Sequence, residues 1–566
     1  MVDTEETPVD NPTPDAASPS ARSQVGNRIF KATGALLAVK VVLRGFGVIE
    51  KVILGHVIGA DYRTDAYQAA RDIASYLLQF VDNVVMHSFL PVFVQRMREQ
   101  GEKDAWRFAS TIINLLALFL AVASVIGIVF TPTILHVLEP NWYAASYNPD
   151  LIPLTIKLTR TMMVAMIFLA VTSLTYSLLN SYKQFALPAS ADLALKGTVL
   201  ACAVLFIRPL GPYALALGFV VGAIAKLAVH SIGLGKRLAY YEPKIDLKQP
   251  GVKQFGLLVL PLMIGIALST VRQMTDQNFG SHELSGSWAA LKFAKQLTDA
   301  PVDFFPLAFG IALFPFLADI ASAGDKERLR GMLMIATRMM ILIFLPLSAL
   351  YIILRQPIVF MLFSHKSIAA ADPLQIFAIQ MFVGALEIIV LQFFFAMSDT
   401  FWPTVASVLV LPLHLAISSS GIFVFHWGII SIALALLCSR TVKIVLLYGI
   451  IRKRLGNLEG RRTALCAGKV ILAALPLVAI LLLVMQRYPY EHLLASTTAA
   501  SAAHHAAGMM GKIHSALKYA REFAPYLLGG GLGFILYGVL LHVLRVEEFA
   551  MLLNRLRRKN SSPVAV

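Results

Sequence analysis

The stretch "GALLAVKVVLRGFGVIEKVILG", residues 34–55, is apolar over enough length to cross a bilayer, yet it carries Lys40, Arg44, Glu50 and Lys51. At about 100° per residue, Lys40, Arg44 and Lys51 fall within about 40° of one another on a helix, with Glu50 on the adjoining face. Cations at membrane depth are costly against lipid, so this stripe is expected to line a polar cavity. Such a cavity suits an anionic group such as a phosphate or diphosphate. Arg offers that group a bidentate fork and Lys a point charge. Gly45 and Gly47, on either side of Phe46, would let the helix bend or a ligand approach closely.

A second set of charges lies further along. Residues 65–95 hold Asp65, Arg71, Asp72, Asp82 and His87, and residues 288–320 hold Lys292, Lys295, Asp299 and Asp303. The last four follow an i, i+3, i+7, i+11 pattern, one polar stripe with Lys–Asp pairs at helical spacing. Arg44, Lys51 and Lys295 are the candidates for direct contact with a diphosphate, and Lys40 and Arg71 enlarge the positive field. Asp65, Asp82, Glu50, Asp299 and Asp303 are expected to hold those cations or to gate. Pro301 and Pro306 should break or kink their helix and act, with Gly45 and Gly47, as hinges. Arg272 and Asp276 sit at the outer end of another apolar run. Arg160, Asp192, Lys196, Lys226, Glu387, His414, Arg440 and Lys443 read as interhelical pairs or interfacial snorkels, with His414 a hydrogen-bonded packing histidine.

The elements that position these residues follow from hydropathy. The chain has 566 residues, 57% hydrophobic and 14% charged, well short of the charge of a soluble domain. Apolar runs predict an all-α polytopic membrane protein with about fourteen spans. They lie near 34–58, 65–95, 108–137, 156–181, 185–207, 212–234, 255–278, 288–320, 329–354, 373–398, 403–425, 428–451, 464–485 and 523–544. Lys and Arg cluster after spans two (Arg96, Arg98, Lys103, Arg107), six (Lys236, Arg237, Lys244, Lys248), eight (Lys326, Arg328, Arg330) and twelve (Arg452, Lys453, Arg454). An even span count with both termini cytoplasmic places those loops inside.

A repeat divides the chain. "FLPVFVQRMREQGEKDAWR" (89–107) is echoed by "LFPFLADIASAGDKERLR" (313–330), pairing Pro91 with Pro315 and setting Ala70-Arg71 on Ala294-Lys295. Two six-helix lobes around a midplane site is a transporter architecture. The expected organisation is a disordered cytoplasmic tail (1–27), an N-lobe (28–237), a cytoplasmic linker (238–253) and a C-lobe (254–454). Two further helices with a long outer loop (455–545) and a basic cytoplasmic tail (546–566) complete it. Residues 1–25 show no cleavable signal pattern, and 486–521 should hold an amphipathic surface helix or a solvated linker.

The net charge of +16 suits cytoplasmic loops and anionic membrane surfaces, not nucleic acid. Cys202, Cys438 and Cys466 lie in apolar runs without metal-ligand spacing, and no nucleotide fingerprint or nucleophile–base pairing is present. No enzyme, metal or cofactor is expected, so membrane potential or an ion gradient would drive transport.

Three stretches carry a family resemblance: "GHVIGADYRTDAYQAA", "SFLPVFVQ" and "LTDAPVDFFPLAFGIALFPFLADIASAGD". With the fourteen spans, they make residues 28–545 resemble the MurJ/MviN lipid II flippases of the MOP exporter superfamily. The resemblance implies a flippase of the bacterial inner membrane. It would carry an undecaprenyl-diphosphate-linked peptidoglycan precursor to the outer leaflet by alternating access, with arginines on the diphosphate and a lipid-tail groove at spans thirteen and fourteen. Partners would be membrane lipid, the lipid-linked glycan and cell-envelope synthesis enzymes. In span one, Arg44 and Gly47 match the family pattern, whereas its second basic–acidic pair reads acidic–basic here, as Glu50-Lys51. Residues 74–79 lack the family's arginine pair, and Ala294-Lys295-Gln296-Leu297 shifts a cation by one position. Those departures keep open a second cargo, a lipid-linked exopolysaccharide or oligosaccharide unit. An ion-coupled small-molecule antiporter would want an acidic site, and a scaffold would not need embedded cations.

Overall fold

The computed structural model describes residues 39, 42–43, 45–144, 148–182, 184, 186–363, 365–397, 399–489 and 509–551. Their regular structure is entirely helical. Helix α1 (45–57) is followed by α2 (Tyr62–Glu99), α3 (Glu102–Val129), the short α4 (Thr131–Leu138), α5 (Leu151–Ser181), α6 (Ala186–Leu210) and α7 (Tyr213–Leu234). The second half runs α8 (Pro250–Gly280), α9 (Ser287–Ser322), α10 (Lys326–Ile353), the short α11 (Arg355–Phe363), α12 (Ala371–Ala396), α13 (Phe401–Phe423) and α14 (Ile430–Leu455). Helices α15 (Gly460–Arg487) and α16 (Met509–Val543) close the order.

Ten of the described helices are long and apolar enough to cross a membrane. Helices α1, α2, α8 and α9 are not among them. These four carry most of the embedded charges, and they overlie the first, second, seventh and eighth expected spans. Helix α16 begins at Met509, so the later part of the expected outer loop is continuous with the last helix. The linker is not loose either: Asn114 on α3 donates to the carbonyls of Glu242 (3.1 Å) and Lys244 (3.0 Å).

The repeat is visible in the backbone. Gly101 and Gly324, matched by "GEK" and "GDK", both take positive φ (89° and 70°) where the chain turns between helices. Ala70 and Ala294 are both fully buried. On the end that the basic-loop pattern places outside, one apolar core joins the two halves, with Leu54, Tyr67 and Trp142 packed among Trp288, Phe293 and Phe363. At the inner ends the cores separate. One gathers Phe89, Phe93, Trp106 and Phe108 and takes in Val252 and Phe255 at the start of α8; the other gathers Phe344, Phe393, Phe394 and Leu447. Apolar burial is roughly proportional to area and non-directional, so a shared outer core holds the halves together on that side.

Helix α9 runs unbroken through Pro301 and Pro306 from Ser287 to Ser322, so the break expected there is absent. Pro301 lacks the N–H that would reach the Leu297 carbonyl, and Tyr351 of α10 donates its hydroxyl to that oxygen at 3.4 Å. The same device docks α16. Pro346 frees the Leu342 carbonyl of α10, and Tyr537 donates to it at 2.7 Å. At the end opposite the shared core, buried Arg338 of α10 pairs with Glu548 and, at 3.3 Å, with Glu459. This clamps both ends of the α15–α16 pair and makes residues 546–548 packed structure rather than tail.

Candidate functional site

The outer closure is polar at its rim. Asp61 caps α2 by accepting from the N–H groups of Arg63 and Thr64. One turn on, Asp65 points across to the other half, where its carboxylate accepts from the backbone N–H of Gly286 and, at 2.8 Å, of Ala289. Those groups belong to the first turn of α9, whose own N-cap residue, Gly286, has no side chain to offer. Asp65 therefore caps a helix 221 residues away; of the two roles expected for it, holding a cation or gating, its contacts run to backbone N–H groups across the two halves and not to a cation. Gly286 takes φ 89° and lies so close to Ala60 that a Cβ would overlap the Ala60 carbonyl.

Beside it, buried Glu139 accepts from Gln277 of α8 at 2.7 Å, and Gln277 accepts from the Tyr76 hydroxyl of α2 at 2.6 Å. Asn278 donates to the Val137 carbonyl at 2.8 Å. Burial drives the Glu139 carboxyl well above the usual carboxylate range, against the opposing pull of the Gln277 amide. None of Glu139, Gln277 or Tyr76 was picked out from sequence. Their signal was faint, an acid and an amide where apolar runs give way to outer loops.

Beneath the rim lies a belt of charge. Asp72 of α2 pairs with Lys292 of α9 at 2.8 Å and accepts from the Trp288 indole at 3.2 Å, while Lys292 lies over that ring at 4.5 Å. Glu50 of α1, 6% exposed, accepts from Arg71 at 2.6 Å and from the Tyr67 hydroxyl at 2.9 Å. Lys51, 5% exposed, sits over the Phe293 ring at 5.9 Å. One turn below Lys292, Lys295 pairs with Asp299 at 2.6 Å, each side chain about a third exposed.

The expected site residues thus divide. Glu50 and Arg71 pair where α1 meets α2, with Lys51 beside them against Phe293 of α9, whereas Lys295 pairs with Asp299 on α9 itself. Lys51 is walled in by Phe293 and does not line an open cavity, because the outer core closes over it. Asp299 pairs with Lys295 as its spacing predicted, and Asp303 is half-buried one turn further on. Lys292 finds its acid on α2 rather than on its own helix. Gly45 and Gly47 lie within continuous α1; a Cβ at Gly47 would meet Gln296 of α9 at 3.8 Å, and one at Gly45 would meet nothing. Lys40 and Arg44 lie outside the described residues, and Asp82 is described only as part of α2. The embedded charges given no role are paired between helices, Lys226 with Asp192 (2.8 Å) and Lys443 with Glu387 (2.7 Å).

A family model described as lipid II flippase MurJ matches residues 54–497. A probable lipid II flippase MurJ of Bdellovibrio bacteriovorus is 24% identical over 441 residues, 75% of this chain and 82% of that protein. The lipid II flippase MurJ of Burkholderia cenocepacia is 25% identical over 60% of this chain and 66% of its own. Among solved structures, a lipid II flippase MurJ in an inward closed conformation superposes with a TM-score of 0.69 at 17% identity, over 90% of this chain and 99% of that one. An inward-facing multidrug resistance MATE transporter of the MOP superfamily follows at 0.63 and 11% identity, over 76% and 99%. With the family model matching well over half its length, this chain belongs to the MurJ lipid II flippase family.

Proposed function

We propose that the chain flips a polyprenyl-diphosphate-linked glycan, lipid II in the first instance, from the inner to the outer leaflet of the bacterial inner membrane by alternating access. The observation that carries this reading is the one-sided closure. A shared apolar core and a polar rim join the halves at the outer end, while the inner ends keep separate cores. That is the arrangement a carrier needs when its site faces the cytoplasm. Lys295 is the described cation best placed to receive a diphosphate. Its partner is on its own helix and both groups are partly exposed, so exchanging Asp299 for a phosphate moves no helix. Both termini are cytoplasmic on this reading, and the N-lobe (28–237) and C-lobe (254–454) are the two moving parts.

Complementation tests the cargo. In a bacterial host depleted of its lipid II flippase, this chain restores growth if lipid II is carried. A lipid-linked exopolysaccharide unit is the second reading, favoured by the pairing of Arg71 with Glu50, which removes one cation from the field that would read the diphosphate. Membrane insertion without rescue selects it.

A further inference from the structure

The repeat that relates the two halves reaches their inner ends, and there the copies differ. The chain leaves α7 through Lys236-Arg237-Leu238 and ends α14 with Lys453-Arg454-Leu455. At the starts of α3 and α10, "GEKDAWR" sets Glu102 and Trp106 where "GDKERLR" sets Asp325 and Leu329. Tyr182 and Met397 are the C-cap residues of α5 and α12. In the first half these groups close on one another. Arg237 lies over the Tyr182 ring at 4.0 Å. The Tyr182 hydroxyl accepts from the Trp106 indole at 2.9 Å and donates to Glu102 at 2.6 Å.

In the second half Leu329 and Met397 take the places of the two rings, and a cavity of about 790 Å³ remains. Its lining is apolar at Leu329, Met397 and Leu455 and cationic at Lys326, Lys453 and Arg454. Arg454 is taken by Asp399 at 2.6 Å, and the Asp325 carboxylate caps α10 by accepting from the Arg328 N–H at 3.0 Å. Lys326 and Lys453 have no carboxylate partner among the described residues. An apolar space with two such ammonium groups suits an occupant that is both anionic and apolar.

We propose that this cavity receives the chain's own N-terminal segment, residues 1–15, which lies outside the described residues. The segment holds Asp3, Glu5, Glu6, Asp10 and Asp15, with no Lys or Arg before Arg22. Its charge is opposite to that of the inner face, and both are cytoplasmic on the topology above. Val2, Pro8, Val9 and Pro12 supply apolar groups between the acids, and prolines at this spacing suit a peptide bound extended. Residues 16–38 reach up to about 75 Å when drawn out. A tether of that kind holds the segment at an effective concentration on the order of millimolar, so weak contacts suffice. The first half fills the matching space from its own chain, and on this proposal the second half does the same from a distance. Helix α1 is bound to α2 through Glu50 and Arg71. A segment that leads into α1 and docks on the second half therefore straps together inner ends whose cores are separate.

Photocrosslinking in the full chain tests this without cargo, so its failure is separable from failure of the lipid II reading. Val9→p-benzoylphenylalanine, irradiated in native membranes, should link to residues 320–329, 396–397 or 453–455, read by mass spectrometry of the digest. Lys326→Glu with Lys453→Glu should cut that link several-fold. Adding Asp3→Lys, Glu5→Lys, Glu6→Lys and Asp10→Lys should restore it, which a merely misfolded variant would not allow. Leu329→Trp with Met397→Tyr, which refills the space as in the first half, should abolish the link while membrane levels hold. A link that maps elsewhere, a phospholipid adduct in its place, or a yield indifferent to charge reversal and refilling overturns the proposal.

Discussion

Helices α2 and α9 occupy matching places in the repeat, yet they use their central cation differently. Each has a fully buried alanine followed by a cation, Ala70-Arg71 and Ala294-Lys295. Arg71 takes its acid from another helix, a buried Glu50 on α1 that also binds Tyr67. Lys295 takes its acid from its own helix, four residues on, with both groups partly exposed. The first pair is a strut between helices. The second is a partly exposed pair within one helix. The two copies thus keep the charge while tying it down differently, and under the proposed function the looser one meets the ligand.

The largest expected effect comes from cutting the strut. Arg71→Ala removes the ion-pair partner of buried Glu50, leaving the Tyr67 hydroxyl as its hydrogen-bond donor and Lys51 nearby, and should cost about 3 kcal/mol, at the lower end for a broken buried pair because Arg71 is partly exposed. Thermal unfolding in detergent reads this as a lowered melting temperature. Adding Glu50→Gln should recover most of it, since the uncompensated charge is then gone. If the double variant is no better than the single, Arg71 is not a strut and the contrast with Lys295 collapses.

Next is Asp65→Ala, which leaves the first turn of α9 without its cap and should cost about 1–2 kcal/mol. Its more telling readout is conformational. The cap spans the two halves, so the loss should raise labelling of Ala290→Cys, a buried position of the shared core, from the outer side. Asp61→Ala removes the corresponding cap of α2 within one half and should cost about as much without that change in labelling.

These partnerships mark what was legible in the sequence. The placing of the long helices was, because a run of apolar residues has few other uses at that length. The polar faces of α1, α2 and α9 were also visible, because helical spacing alone puts Lys295 beside Asp299. Partners across distance were not. Nothing local ties Asp72 to Lys292, or Asp65 to a backbone more than two hundred residues on, and a carboxylate that caps a helix looks the same in sequence as one that holds a lysine. Pro301 shows the same limit: the hydroxyl that occupies its vacated carbonyl, and accompanies an unbroken helix, belongs to Tyr351 on the next helix. Glu139 was invisible because burial, not its neighbours in sequence, makes it matter.

Glu139 supplies a smaller, pH-dependent effect. Its carboxyl is raised in the folded protein, so the native state holds a proton that the unfolded chain releases near about pH 4.3. The stabilisation is complete below that value and is lost as pH rises through the raised one. The melting temperature should therefore decline with rising pH across that window, and Glu139→Gln, which still pairs with Gln277, should flatten the decline. An unchanged slope would mean that the rim is held by its neutral partners alone.

The smallest expected change in stability is the one that decides the comparison. Lys295→Ala removes half of an i, i+4 pair whose members are both about a third exposed, and such pairs contribute under about 1 kcal/mol. The melting temperature should barely move. If Lys295 is nonetheless the cation that exchanges Asp299 for the diphosphate, export should fall at least tenfold, and complementation should fail while membrane levels stay normal. Lys295→Arg should restore export in part, because the charge returns with a different fork. Should Lys295→Ala destabilise the protein as much as Arg71→Ala does, the two halves would be alike after all, and the exchangeable cation would have to be sought on α1.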